Sequence, residues 1–340
     1  MTDRVVAFAP GRVNLMGDHT DYAGGLALPI AIDLGTTVRG IRDGERVVLT
    51  STDRERAADL PLSIPDPGSV EPAWGRYLAG VVAELQPDRG LVGAITSTLP
   101  IGAGLSSSAA LELAVALAMG FAGSPRALAH LGQRAEQRAS GVPCGLMDQL
   151  TSACGIEGHA LLIDFSDETI LPVRVPDGID VIVVHSGEER ALATSAYARR
   201  RAEVESAIEE IGPLRDATTA DARSLPDAVR RRARHVITEN VRVRSFAAAL
   251  ASGDTSLIGP LMAESHLSLR DDFEVSTAAL DETVSRLTAL PGVLGARLTG
   301  AGFGGCVVTL TEQGAIADPS GVTGRGWIVR PSTGARTTLA

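Results

Sequence analysis

The chain predicts an α+β fold of two lobes with a cleft between them. Strand-like and helical runs alternate through its first half, long helical stretches fill most of the second, and the second half closes on a strand–glycine turn–strand unit, GARLTGAGFGGCVVTL (295–310). With 340 residues and 44% hydrophobic content, it is long enough for one large core or two ordinary ones.

In order, VVAFAP (5–10), LALPIAI (26–32), TVRGI (37–41) and RVVLTS (46–51) read as strands set apart by turn residues. LVGAITSTLP (91–100) alternates as a strand and runs into SSSAALELAVALAMGFA (106–122), which lacks a polar face and predicts a buried helix. Pro125 opens a second helix, 125–139, and a third short one begins near Gly145. HALLIDF (159–165) and VIVVHS (181–186) read as strands, and helices are expected at 194–211, about 225–251, about 255–270 and 276–289. Beyond 310 the chain turns rich in Gly, Pro, Ser and Thr, with one strand candidate, WIVRP (327–331). The boundary is expected between 165 and 180, dividing 1–170 from 171–340.

Charge and composition remove several function classes. A net charge of −10 argues against gripping nucleic acid or an anionic membrane through the whole surface. No run approaches the roughly 20 apolar residues of a membrane span, and the opening MTDRVVAFAP lacks the regions of a secretory signal. Three cysteines (Cys144, Cys154, Cys306) form no CxxC pair, and no histidines stand at HxxxH spacing. The expectation is a soluble, cytoplasmic protein without disulfides or structural metal. All 31 basic residues are arginine. Without lysine there is no Walker A loop, no protein kinase of the usual type and no pyridoxal Schiff base. Nucleotide phosphates would have to be held by backbone amides, a metal and arginine.

LPIGAGLSSSAA (99–110) carries the strongest chemical signal. It joins a strand to a buried helix. Glycines at 102 and 104 permit a tight turn with exposed amides, and the helix start adds unpaired N–H groups and a partial positive charge. This is an anion cradle suited to a triphosphate; the same residues also suit a flexible turn with serine caps. Ser106, Ser107 and Ser108 add hydroxyls, one of which could ligate Mg²⁺. TGAGFGGC (299–306) places four glycines in six positions, implying close approach of two backbones or a ligand, or simply a tight hairpin. Its expected role is to close the pocket beside the phosphate loop. EQRASGVPCGLMDQL (136–150) carries Glu136 near a helix end and Asp148 in an apolar setting, where a carboxylate needs a partner. Two acids beside a phosphate loop fit phosphoryl transfer, one as metal ligand and one receiving the acceptor hydroxyl's proton. Alone, Glu136 would read as an exposed helix residue.

The residues GRVNLMGDHTDY, LPIGAGLSSSAA, GVPCGLMDQ, RARHVITEN, MAESHLSLRDDFEVS and TGAGFGGC, in this order, resemble segments of the galactokinase branch of the galacto-, homoserine, mevalonate and phosphomevalonate kinase superfamily. The likeness runs from about residue 5 to 310, and PSTGAR (331–336) is similar to that branch's C-terminus. It implies a ribosomal-S5-like N-terminal lobe, a ferredoxin-like C-terminal lobe, and an ATP:sugar 1-phosphotransferase. The implied reaction converts α-D-galactose and MgATP to α-D-galactose 1-phosphate and ADP, in a cytoplasmic monomer. The resemblance implies that Asp18, His19, Asp21, Gly145 and Tyr197 face sugar hydroxyls, and that Arg12 and Asp148 flank the reacting C1 hydroxyl. Ser107 and Glu136 are the implied Mg²⁺ ligands. Gly102, Ala103, Gly104, Leu105, Ser106, Ser107 and Ser108 are implied to hold the nucleotide's phosphates, with Trp74 against adenine. Trp74 also suits a core anchor, and Tyr197 an interface between helices. Asp18 stands where most members have glutamate, Ala23 where asparagine is commoner, and 311–326 is short for the usual helix there. Two other readings stay open: a kinase of arabinose or N-acetylgalactosamine, and a sugar sensor without turnover.

Overall fold

The computed structural model describes residues 3–100, 102–189 and 193–339. Up to residue 174 the elements are β1 (Asp3–Asn14), β2 (Leu26–Ala27), β3 (Pro29–Arg42), β4 (Arg46–Ser51), β5 (Arg54–Pro61), α1 (Gly75–Leu85), β6 (Leu91–Ser97), α2 (Ser107–Ala118), α3 (Pro125–Ser140), α4 (Met147–Cys154), β7 (His159–Asp164) and β8 (Thr169–Arg174). After them come β9 (Ile179–His185), α5 (Ala193–Ile211), α6 (Asp227–Ser252), α7 (Ile258–Asp271), α8 (Ala278–Thr288), β10 (Val293–Thr299), β11 (Cys306–Glu312), α9 (Ser320–Thr323) and β12 (Gly326–Val329). A last strand, β13 (Arg336–Leu339), returns to pair antiparallel with β1. Among the described residues no helix is long and apolar enough to cross a membrane.

Three sheets result, ordered β13-β1-β3-β6-β4-β5, β2-β7-β8 and β10-β11-β9-β12. The two strand runs expected at 26–32 and 37–41 fall largely within one long strand, β3. Gly35, which reads as a turn marker, lies instead under the Phe8 ring, where a Cβ would come within 2.4 Å of the ring. Three strands, β5, β8 and β13, escape the sequence reading. Only Ala58 and Leu60 are buried in β5 and only Val173 in β8, so neither sustains an alternating pattern.

α2 is buried along most of its length, as its lack of a polar face predicts, and packs on β1 and β3. It ends at Ala118, four residues before the expected 122, because Gly120 turns the chain at φ 100°. α3 starts as predicted: the Ser124 hydroxyl accepts from Ala127 N at 3.2 Å, with Pro125 in the first turn.

The sheet β10-β11-β9-β12 is a wall shared by two cores. Val181 and Val183 of β9 pack into the core that includes α2 and β1. Ile182 and Val184 pack into a second core with Leu298, Val307 and Phe273. The period-two alternation of a strand lets consecutive apolar residues serve opposite faces. The end of β1, the start of α2 and the start of α4 meet at Arg12, Ser106 and Asp148.

Candidate active site

Arg12 lies near the end of β1, beside the glycine–serine turn. Gly11 makes this approach possible: a Cβ there would meet Leu105 O at 2.5 Å. The Arg12 N–H donates to Leu105 O at 3.2 Å, and the guanidinium to Gly104 O at 2.8 Å. Its other terminal nitrogen reaches Asp148 Oδ1 at 2.6 Å. The second oxygen of Asp148 accepts from Ser106 Oγ at 2.6 Å. Residues 12, 106 and 148, distant in the chain, thus meet at one carboxylate. Ser106 adopts a left-handed conformation (φ 59°, ψ 46°) just before α2, uncommon for a residue with a side chain. Gly102, at φ 75°, is exposed, and a Cβ on it would meet nothing within 4 Å; Ala103 and Leu105 are buried beneath the turn.

Glu136 projects from α3 toward α2 and α4. Its carboxylate accepts from Ser108 Oγ at 2.8 Å and from Gln149 Nε2 at 2.5 Å. Ser107, the serine expected there, is exposed, and together with Ser108 it lines a cavity of about 300 Å³ shared with Trp74 and Tyr77. Trp74 donates its indole N–H to Arg56 O at 3.1 Å. Burial, then the nearby Asp148 charge, raises Glu136 to about 7. Glu112, fully buried on α2, is pushed well above the carboxylate range by burial and then by Glu136. Among the described residues no group of three or more His, Cys, Asp or Glu is placed to hold a metal ion.

A larger cavity of about 920 Å³ is lined by Arg12, Asp148 and Glu136 and reaches Trp74 and Tyr77, which also line the smaller one. Asp21, Gly145, Tyr197 and Cys144 line it, with Asp18 and His19. Asp21 accepts from the backbone of Tyr22 and Met147; burial, then Asp148, raises its carboxyl to about 6. Gly145 presses against it, so close that a Cβ would stand 1.6 Å from Asp21 Oδ2. His19, at φ 64°, stacks on Phe273 with ring centroids 4.4 Å apart, its Nδ1 3.0 Å from the Tyr22 hydroxyl. The Tyr197 ring lies 5.9 Å from Tyr22 and 5.8 Å from His19. Cys144 is held as a thiol by burial and surrounding carboxylates.

The glycine turn 300–305 meets the loop that carries Asp18 and His19 rather than the glycine–serine turn 102–108: Gly300 N donates to Asp18 Oδ1 at 2.8 Å, and Ala301 O lies 3.3 Å from His19 Nε2. Several residues of the site escape the sequence reading, among them Tyr77, Gln149 and Arg297. Tyr77 lies one helical turn after Trp74, so helical spacing was the available signal for it; Gln149 follows Asp148 directly and therefore points about 100° away from it on the helix. For Arg297 there was none, because a charged strand residue ordinarily reads as exposed.

Family models match three stretches: the galactokinase galactose-binding signature over residues 2–40, the GHMP kinases N terminal domain over 76–156 and the GHMP kinases C terminal model over 246–318. A galactokinase of Roseiflexus sp. is 44% identical over 337 residues, covering 92% of this chain and 84% of its own length. The Homo sapiens galactokinase is 41% identical over 330 residues, covering 90% and 83%. The crystal structure of Lactococcus lactis galactokinase complexed with galactose aligns with TM-score 0.91 at 29% identity, covering 99% of this chain and 95% of that one. A mevalonate kinase structure shares the fold at TM-score 0.70 and 22% identity.

Proposed function

The chain belongs to the galactokinase family, and on that premise we propose how its residues carry out the reaction. The enzyme phosphorylates galactose with ATP. In the proposed arrangement the sugar occupies the larger cavity, its anomeric C1 hydroxyl between Arg12 and Asp148. Asp21, Gly145, His19 and Tyr197 border the remaining hydroxyls, so that an epimer would leave a buried polar group unpaired, worth about 1–3 kcal/mol. The triphosphate lies along residues 102–108 and the α2 N-terminus, with the base toward Trp74.

The anomeric oxygen attacks the γ-phosphorus, the bond to the β–γ bridging oxygen breaks, and ADP leaves. Asp148 accepts or orients the departing proton. Arg12 pairs with Asp148 beside the hydroxyl and offsets charge at the transferring group. This is catalysis by positioning and electrostatics, as phosphoryl transfer generally is. Mg²⁺ would be held by Glu136 and a serine hydroxyl of 106–108, and would neutralise charge on the β- and γ-phosphates. A single buried carboxylate raised to about 7 fits this, since Mg²⁺ takes one or two protein carboxylates and fills its shell with phosphates and water. The same reading has the enzyme working as a monomer in the cytoplasm.

The observation that carries the reading is the convergence of Arg12 and Ser106 on Asp148 at the cavity wall. A panel of galactose, arabinose and N-acetylgalactosamine with ADP release as readout tests it. Galactose is expected to lead by about tenfold or more in kcat/KM. Arabinose ahead of galactose would change the substrate; binding of galactose and ATP without turnover would support the sensor.

Asp21 gives the site a pH dependence. Its raised value means the free enzyme favours the neutral form below about 6. A sugar hydroxyl donates more strongly to the ionised carboxylate than to the neutral acid, so the KM for galactose is expected to rise as pH falls through about 6, by at most about tenfold per unit. KM measured between about pH 8 and about pH 5 checks this; a flat profile over that range removes Asp21 from the sugar contacts.

A further inference from the structure

Two loops meet at Asp21. The turn Asp21–Ala23 carries it, and residues 141–146, leading into α4, bring Gly145 hard against it. Both loops are touched by one side chain from a third element. Arg201, on α5, donates from Nη1 to Pro143 O at 2.5 Å, and its guanidinium carbon lies 5.3 Å from the centre of the Tyr22 ring. Glu205, one turn further along α5, accepts from Arg201 Nε at 2.7 Å and fixes the direction of the fork. The guanidinium thus holds the neighbour of Asp21 on one side and a carbonyl two residues before Gly145 on the other. Tyr197, one turn before Arg201 on α5, lines the sugar cavity. The adjoining Arg200 secures the same helix elsewhere: it donates to Phe273 O at 2.7 Å, and Phe273 stacks on His19. A planar fork with donors in fixed directions can serve a carbonyl, a carboxylate and an aromatic face together.

We propose that Arg201 is a positioning residue for sugar binding: it fastens α5 to both loops, and so fixes Tyr197, Asp21 and Gly145 in one arrangement around the sugar. This rests on the galactokinase reading, which turnover of galactose by the wild type tests separately. The charge of Arg201 also bears on Asp21. The titratable and charged groups around that carboxyl are Arg12 on β1, Asp18, His19 and Tyr22 on its own loop, Cys144 and Asp148 at the start of α4, and Tyr197 and Arg201 on α5. Burial and then Asp148 raise it, and its two backbone donors and then Arg201 draw it back toward the ionised form.

The test measures galactose affinity by calorimetry, and kcat and KM by steady-state kinetics, for wild type, Arg201→Met, Arg201→Lys and Arg199→Met. Arg201→Met keeps the apolar stem and loses the fork. It is expected to raise the dissociation constant and KM for galactose about tenfold, with kcat within about threefold and the KM for ATP within about twofold. Its galactose KM should also begin to rise at a higher pH than in wild type, because Asp21 has lost a cation that favours its ionised form. Arg201→Lys keeps the charge without the fork, so the pH profile should return to that of wild type while KM stays raised about threefold or more. Arg199 is exposed on the same helix, and Arg199→Met, which removes the same charge, is expected to change none of these quantities. Galactose affinity of Arg201→Met within about twofold of wild type overturns the proposal. So does an equal effect of Arg199→Met, and so does a parallel loss of galactose and ATP affinity, the mark of a general loosening. The Arg201 side chain is 21% exposed, and its partner Glu205 49%, so the fold is expected to survive. Should Arg201→Met fail to fold, Arg201→Lys decides, and wild-type galactose affinity in that variant overturns the proposal.

Discussion

Asp148→Asn is expected to lower kcat by about 10³-fold while the protein stays folded. The amide matches the carboxylate in shape, and the side chain is 31% exposed, so no large desolvation penalty attends the change. What is lost is the proton acceptor and the charge facing Arg12. The amide retains one acceptor oxygen where the carboxylate presented two, one to Arg12 and one to Ser106. ATP binding should survive, because the Arg12 bonds to Gly104 O and Leu105 O still hold the turn. Steady-state kinetics beside a thermal melt checks both halves of the expectation. A folded variant keeping more than about a tenth of wild-type kcat would remove Asp148 from the reaction.

Gly145→Ala is expected to abolish useful galactose binding, raising its dissociation constant at least about 100-fold, with ATP affinity near wild type. The reason is steric. The new methyl would stand 1.6 Å from Asp21 Oδ2 and 2.5 Å from Cγ, so Asp21 must leave its position against α4. Displacement of about 1 Å at a reacting site is enough for such a loss. Gly102→Ala makes a useful contrast, since nothing lies within 4 Å there and the change would act only through the φ of 75°. Calorimetric titration with galactose and with ATP separates the two ligands. Galactose affinity within about threefold of wild type would show that Asp21 has room to move and that the pocket does not depend on it.

The long strands and helices were legible because burial imposes a period on them, and β5 and β8 were not because each buries too little. The pairing of Arg12 with Asp148 is invisible to periodicity; only the ordered segments of the resemblance lead to it. The serines show a subtler limit. Consecutive residues at a helix start point about 100° apart, so the three hydroxyls necessarily face different partners. The structure gives Ser106 to Asp148, Ser108 to Glu136 and leaves Ser107 exposed, and only the helix phase decides this. Glu136 taken alone resembles any charged helix residue. It turns inward because Leu128, Leu131, Ala135 and Ala139 bury the adjoining face of α3, and Gly132 lets α2 and α4 come near. Arg297 meets Asp18 across 279 positions, a partnership that local pattern does not contain.

The return of β13 to β1 sets Leu339 opposite Val5, so strands from opposite extremes of the described residues occupy neighbouring rungs of one sheet. Such a pairing closes a loop that holds nearly every other element, and its entropic cost is met only once those elements have packed. This edge of the sheet is therefore expected to join late in folding.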